Sequence, residues 1–265
     1  MVTDLDGTFW NRELTVPAAH LAAVRTLAEQ SVEVMVATSR RRRVVAEHLS
    51  RVGFTPAAVV LDGAMGLDLR DGARFHDAAF TTDAAVGVLE KFRCHGLEPC
   101  VYVDEPDVDV VLPSRPSTSA THVAYLGPIA RTGDLDETVA AFGVYSFSVT
   151  GRPQEELLVL GKDLAAFGAE FTVFHESVYG GWSVVVAPPQ VTKWNGVVAF
   201  ADRHGIAAEE ILAVGDGDND VDMLTRAGVA VAVRGGTERA LAVADHLIDG
   251  PESTGWAAIL DLVSH

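Results

Sequence analysis

Two short acidic stretches hold the residues best suited to chemistry. Asp4, Leu5, Asp6, Gly7 and Thr8 set two carboxylates two residues apart, beside a glycine that permits a turn. Gly215, Asp216, Gly217, Asp218, Asn219 and Asp220 form a second, denser set. Either alone could be a turn or a helix cap. Together they define candidate metal ligands, because converging carboxylates repel one another unless a cation lies between them. Magnesium suits such a group best, since it takes few protein carboxylates and completes its octahedron with waters and phosphate oxygens. A calcium loop starting at Asp216 is excluded, because its sixth position would be Val221 instead of Gly and its twelfth Ala227 instead of an acid. Thr38 could donate its hydroxyl to a phosphoryl oxygen, and Lys193, at the predicted start of a helix, could neutralise charge there.

The elements around these residues predict how they could meet. Thr15 is expected to cap a helix with Pro17 in its first turn and Leu21, Val24 and Leu27 on one face. A strand over Val32–Ala37, a helix over Val44–Val52 and a strand over Ala57–Leu61 follow. The same texture returns late in the chain, with Thr192 capping a helix over Lys193–His204 before strands at Ile211–Val214, Val229–Val233 and His246–Ile248. Such β-α alternation predicts a Rossmann-like parallel sheet whose ligands gather at the carboxyl ends of the strands. Between these halves the order changes to helices separated by paired strands, at Cys100–Val103 with Val108–Leu112, then Val144–Val149, then Phe171–His175 with Trp182–Ala187. The expected organisation is an α/β core from residues 1–80 and 188–265, with an α+β domain inserted over 81–187. Only Met1–Thr3 precede Asp4, fewer residues than a central strand usually has, so the natural chain is expected to begin upstream of Met1.

Composition narrows the partners. The 265 residues carry a formal net charge of −17, a field that repels nucleic-acid backbones and requires any phosphate site to be made attractive locally. Arg41, Arg42 and Arg43 read as a solvated basic face. Cys94 and Cys100 are too few for a disulfide framework, and no apolar run is long enough to span a membrane. A cytoplasmic protein without nucleic-acid or membrane partners is expected.

Taken together, Asp4 to Thr8, Thr38, Lys193 and Gly215 to Asp220 resemble the haloacid-dehalogenase superfamily, most closely its Cof-like branch with a type II cap inserted before Lys193. The resemblance implies that Asp4 attacks phosphorus and forms an aspartyl phosphate, while Asp6 acts as acid and then base. It implies magnesium held by the Asp4 carboxylate, the Asp6 backbone carbonyl and Asp216, with Asp220 near or behind them. Lys193 would hold Asp4, and Thr38 would orient the phosphoryl group. Arg40 and Asn219 are implied substrate contacts, Asn219 through the phosphate or the Lys193 network. Ser39 and Asp62 depart from the branch's usual Gly and Asn; both are expected to line the cleft, and neither to touch the chemistry. The implied activity is a magnesium-dependent phosphatase acting on a small phosphorylated metabolite, a sugar phosphate for preference, with a phosphomutase or a non-catalytic binding protein as alternatives. Substrate choice is expected to come from the cap, where Arg152, His175, Tyr179 and Trp182 stand out without being assigned.

Overall fold

The computed structural model describes residues 1–175 and 180–263, which divide into two compact units: Met1–Asp77 with Thr192–His265, and Ala78–Val191. The first unit opens with strands β1 (Val2–Thr3), β2 (Met35–Ala37), β3 (Ala57–Val60), β4 (Met65–Asp68) and β5 (Arg74–Asp77). The second contributes β6 (Cys100–Glu105), β7 (Val108–Leu112), β8 (Ala130–Thr132), β9 (Ser146–Arg152), β10 (Glu170–His175) and β11 (Trp182–Ala187). The chain then returns to the first unit with β12 (Leu212–Gly215), β13 (Val229–Val233) and β14 (His246–Ile248).

In the first unit the strands form one sheet in the order β14-β13-β12-β1-β2-β3-β4-β5. It is parallel from β14 to β3, and its central strands are buried apolar runs such as Ala57, Ala58, Val59 and Val60, as a sheet covered on both faces requires. The order reverses at the centre: β1 leads outward through β2 and β3, whereas its other neighbour β12 leads the opposite way through β13 and β14. Loops leaving β1 and β12 therefore part at a topological switch point, where open α/β sheets take ligands. Although β1 has only two residues, Val2 and Thr3 are fully buried and pair with both neighbours.

Three local outcomes differ from the sequence expectations. The helix Ala18–Glu29 has Pro17, not Thr15, at its N-cap, and no side chain caps it. Pro17 presets the dihedral that starts the helix and holds Val16 extended, so the start falls two residues later. The antiparallel hairpin β4–β5 extends the sheet beyond β3; its strands are four residues each, too short for alternation to register. In the second unit the helix Ala120–Leu126 and the strand β8 were likewise too short to be read.

The second unit is α+β, with sheet order β10-β11-β9-β6-β7-β8. Val101, Phe147, Val149, Val184 and Val186 form an apolar face packed against Val88, Leu89 and Phe92 of the helix Thr82–Cys94 and Leu157, Leu160 and Leu164 of the helix Gln154–Phe167. Cys100 is buried, which pushes its thiol up to about 12, and Cys94 is exposed. Arg152 pairs with Glu156, and His175 meets Trp182 edge to face; Tyr179 lies outside the described residues. Among the described residues, no helix is long and apolar enough to cross a membrane.

Candidate active site

Strand register brings the first two motifs level. Thr3 pairs with Val214 on one side and Val36 on the other, and the Asp4 N–H donates to the Val214 carbonyl at 2.8 Å. Asp4 thus leaves β1 beside the point where Gly215 and Asp216 leave β12. Gly7, at φ +75°, allows the first loop to turn back against the second; a Cβ there would lie 2.8 Å from Asp216 Oδ2. Thr8 ties the two loops together, its hydroxyl donating to Asp216 Oδ1 at 2.9 Å.

Lys193 arrives from a third segment. It is the first residue of the helix Lys193–His204, which Thr192 starts as expected, with Asn195 Oδ1 accepting the Thr192 N–H at 2.8 Å. The loop Leu61–Gly63 packs against that start so closely that a Cβ on Gly63, at φ +109°, would lie 2.0 Å from the Thr192 carbonyl oxygen. From this position the buried Lys193 Nζ donates to Asp4 Oδ1 and to Asp220 Oδ1, each at 2.7 Å. Asp220 Oδ2 accepts the N–H groups of Asp216 and Gly217 at 3.0 and 2.8 Å, so Asp220 braces both the lysine and its own loop.

One ammonium faces three acids. Burial works against the Lys193 charge, but Asp220 and Asp4 outweigh it and hold the lysine protonated. Burial raises Asp4 well above the usual carboxylate range against the pull of Lys193, with Asp220 and Asp216 adding to the rise. Burial pushes Asp216 up to about 6, opposed by the Thr8 hydrogen bond. Asp4, Asp216 and Asp220 each offer an oxygen within 4.8 Å of the others. An all-oxygen donor set with surplus negative charge fits a hard divalent cation.

The remaining sequence candidates fall around this centre. Thr38 is buried at the end of β2, and its Oγ1 accepts the Arg40 N–H at 3.1 Å, an arrangement in which the hydroxyl can still donate. The Asp6 side chain does not join the acidic cluster. Both its oxygens are held by Arg40, whose Nε and Nη2 donate at 2.9 and 2.7 Å. Asn219 donates to Asp62 Oδ1 at 2.8 Å and makes no hydrogen bond to Lys193. Asp62, expected to line the cleft without touching the chemistry, is bonded to Asn219 and also acts electrostatically on Lys193. Thr8 carried no assigned role of its own, and Trp256 was missed altogether. Trp256 Nε1 donates to Thr3 Oγ1 at 2.9 Å, just before Asp4. Thr8 lay within a motif already noticed, whereas nothing in the sequence links Trp256 to Thr3.

The sequence model of the haloacid dehalogenase-like hydrolases matches residues 1–260. The chain belongs to this family. Among curated members and relatives, it is 24% identical over 97% of its length to 5-amino-6-(5-phospho-D-ribitylamino)uracil phosphatase YitU of Bacillus subtilis (strain 168), covering 94% of that protein. It is 26% identical over 92% of its length to a phosphoglycolate phosphatase of Methanoculleus marisnigri, covering 88% of that enzyme. A match to the chloroplastic Endoribonuclease YBEY of Arabidopsis thaliana, at 24% identity over 91% of the chain, spans only 42% of that longer protein. Among solved structures, the phosphatase BT1666 of Bacteroides thetaiotaomicron aligns with TM-score 0.81 and 22% identity, covering 99% of this chain and 94% of that one. The subclass IIB sugar phosphatase BT4131 aligns with TM-score 0.77 and 18% identity, covering 99% and 98%. The chain is thus a hydrolase of the haloacid dehalogenase-like family with that family's fold, and phosphatases span nearly its full length.

Proposed function

We propose that this hydrolase is a magnesium-dependent phosphatase that acts in the cytoplasm on a small phosphorylated metabolite, a sugar phosphate by preference, through an aspartyl phosphate on Asp4. The observation that carries this reading is the meeting of side chains from three distant segments, with Lys193 Nζ 2.7 Å from both Asp4 and Asp220. The full-length likeness to named phosphatases supports it.

In this reading an Asp4 carboxylate oxygen attacks phosphorus in line while the alkoxide leaves. Lys193 fixes the attacking carboxylate and balances charge that develops on the phosphoryl oxygens. Thr38 donates to one of those oxygens and orients the group. Asp6 gives its proton to the departing alcohol, then takes a proton from the water that cleaves the acyl phosphate. Asp4, Asp216 and the Asp6 backbone carbonyl would hold magnesium, with Asp220 bracing them from behind. The ion would supply Lewis-acid stabilisation of the phosphoryl oxygens and relieve repulsion among the acids. The inserted residues 81–187 would select the substrate.

A panel of phosphorylated metabolites, assayed for inorganic phosphate with and without magnesium, tests the assignment. Magnesium-dependent release, strongest among sugar phosphates, is expected. Formation of a phosphate isomer without release would instead mark a mutase, and no turnover of any substrate would leave a binding protein.

A further inference from the structure

We propose that Arg40 is a positioning residue for Asp6 and not a contact of the substrate phosphate, an inference that rests on the phosphatase reading above. The two residues lie 34 positions apart in sequence, and the guanidinium meets the carboxylate through both Nε and Nη2, at 2.9 and 2.7 Å. A half-exposed ion pair is ordinarily worth little. This one differs in two respects. The two-pronged fork fixes the carboxylate plane as well as its distance. The Arg40 backbone is also anchored on both sides, its N–H donating to Thr38 Oγ1 at 3.1 Å and its carbonyl accepting the Leu61 N–H at 3.0 Å. The fork is thereby built onto the same strand end that carries Thr38, so the phosphoryl-orienting hydroxyl and the acid-base carboxyl share one support. Such control of a proton donor matters because a small misplacement from the departing oxygen costs much of its effect.

In the step concerned, the Asp4 oxygen-to-phosphorus bond forms, and the bond from phosphorus to the alcohol oxygen breaks with its electron pair staying on that oxygen. The proton comes from the Asp6 carboxyl: one prong of the fork opens when that oxygen takes up the proton it will donate, the other oxygen keeps its bond from Arg40, and both bonds return once the proton has left. An aryl phosphate with an acidic phenol needs no such proton, whereas an alkyl phosphate does. Because kcat/KM covers events only up to the first irreversible step, it separates this role from the later attack of water.

The test compares kcat/KM for p-nitrophenyl phosphate and for an alkyl phosphate, with magnesium present, in the parent, Arg40→Ala and Arg40→Lys. Arg40→Ala is expected to lower the alkyl value about tenfold or more and the aryl value less than about threefold, within the range general acids contribute. Arg40→Lys keeps the charge but loses the fork, and is expected to show the same split; should the alanine variant fail to fold, the lysine variant carries the test. Equal losses on both substrates would assign Arg40 to the phosphoryl group and overturn the proposal, as would unchanged alkyl turnover in either folded variant. A parent inactive on both substrates would bring down the phosphatase reading itself, a result distinct from any of these.

Discussion

Lys193 holds two buried carboxylates at once, so its removal strands charges that water cannot reach. Losing one partner of a buried pair costs about 3–5 kcal/mol. Lys193→Met is therefore expected to lower stability to urea unfolding by about that much without metal, with part of the loss recovered on adding magnesium. A loss under about 1 kcal/mol would mean that the lysine is not the partner of these acids. At this scale the sequence disclosed types and spacing but not pairings. Asp4, Asp216, Asp220 and Lys193 were legible because acids at strand ends and a lysine after a cap are unusual in combination. The partner of Asp6 was not, since an arginine following Thr38 can turn equally toward a phosphate or a carboxylate. The bond from Asn219 to Asp62 was hidden for a related reason, since the left-handed backbone at Leu61 and Asp62, φ 53° and 55°, from which Asp62 meets Asn219, has no glycine to announce it.

The elements that carry these residues were mostly readable. β-α alternation and the Thr192 cap gave the parallel sheet and the helix that presents Lys193. What escaped were pieces only about two periods of their pattern long, such as β4, β5 and the helix Ala120–Leu126. Close packing of backbone on backbone was hidden for another reason, because glycine carries no side-chain signal. Gly63 is the case with consequences. Alanine there would meet the Thr192 carbonyl in a backbone region that disfavours side chains. Gly63→Ala is expected to destabilise the chain by more than about 1 kcal/mol and to lower kcat by shifting the start of the Lys193 helix. Thermal melts and steady-state rates would check both; a variant as stable and as active as the parent would show that the approach of this loop is not needed.

Over the whole molecule, a formal net charge of −17 is concentrated further where three acids converge on one ammonium. The pH dependence should follow. With Asp216 at about 6 and Asp4 also raised, the folded chain binds more protons than the unfolded one between the ordinary carboxylate value and about 6. Stability without metal therefore falls as pH rises through that window. Magnesium binds the ionised acids and offsets the loss, by about 2.7 kcal/mol at a concentration 100 times its Kd. Calorimetry is expected to show a clear rise in Tm with magnesium at about pH 7.5 and a much smaller one at about pH 5, and Asp216→Asn should flatten the difference. Equal rises at both pH values would argue that the cation binds elsewhere.

The nucleophile is the most direct point of attack on the account. Phosphate release from p-nitrophenyl phosphate with magnesium should be measured for the parent and for Asp4→Asn, which keeps size and hydrogen bonding while removing the attacking charge. The expected result is turnover by the parent and none above background by the variant, although both are folded. Undiminished turnover by Asp4→Asn would contradict it.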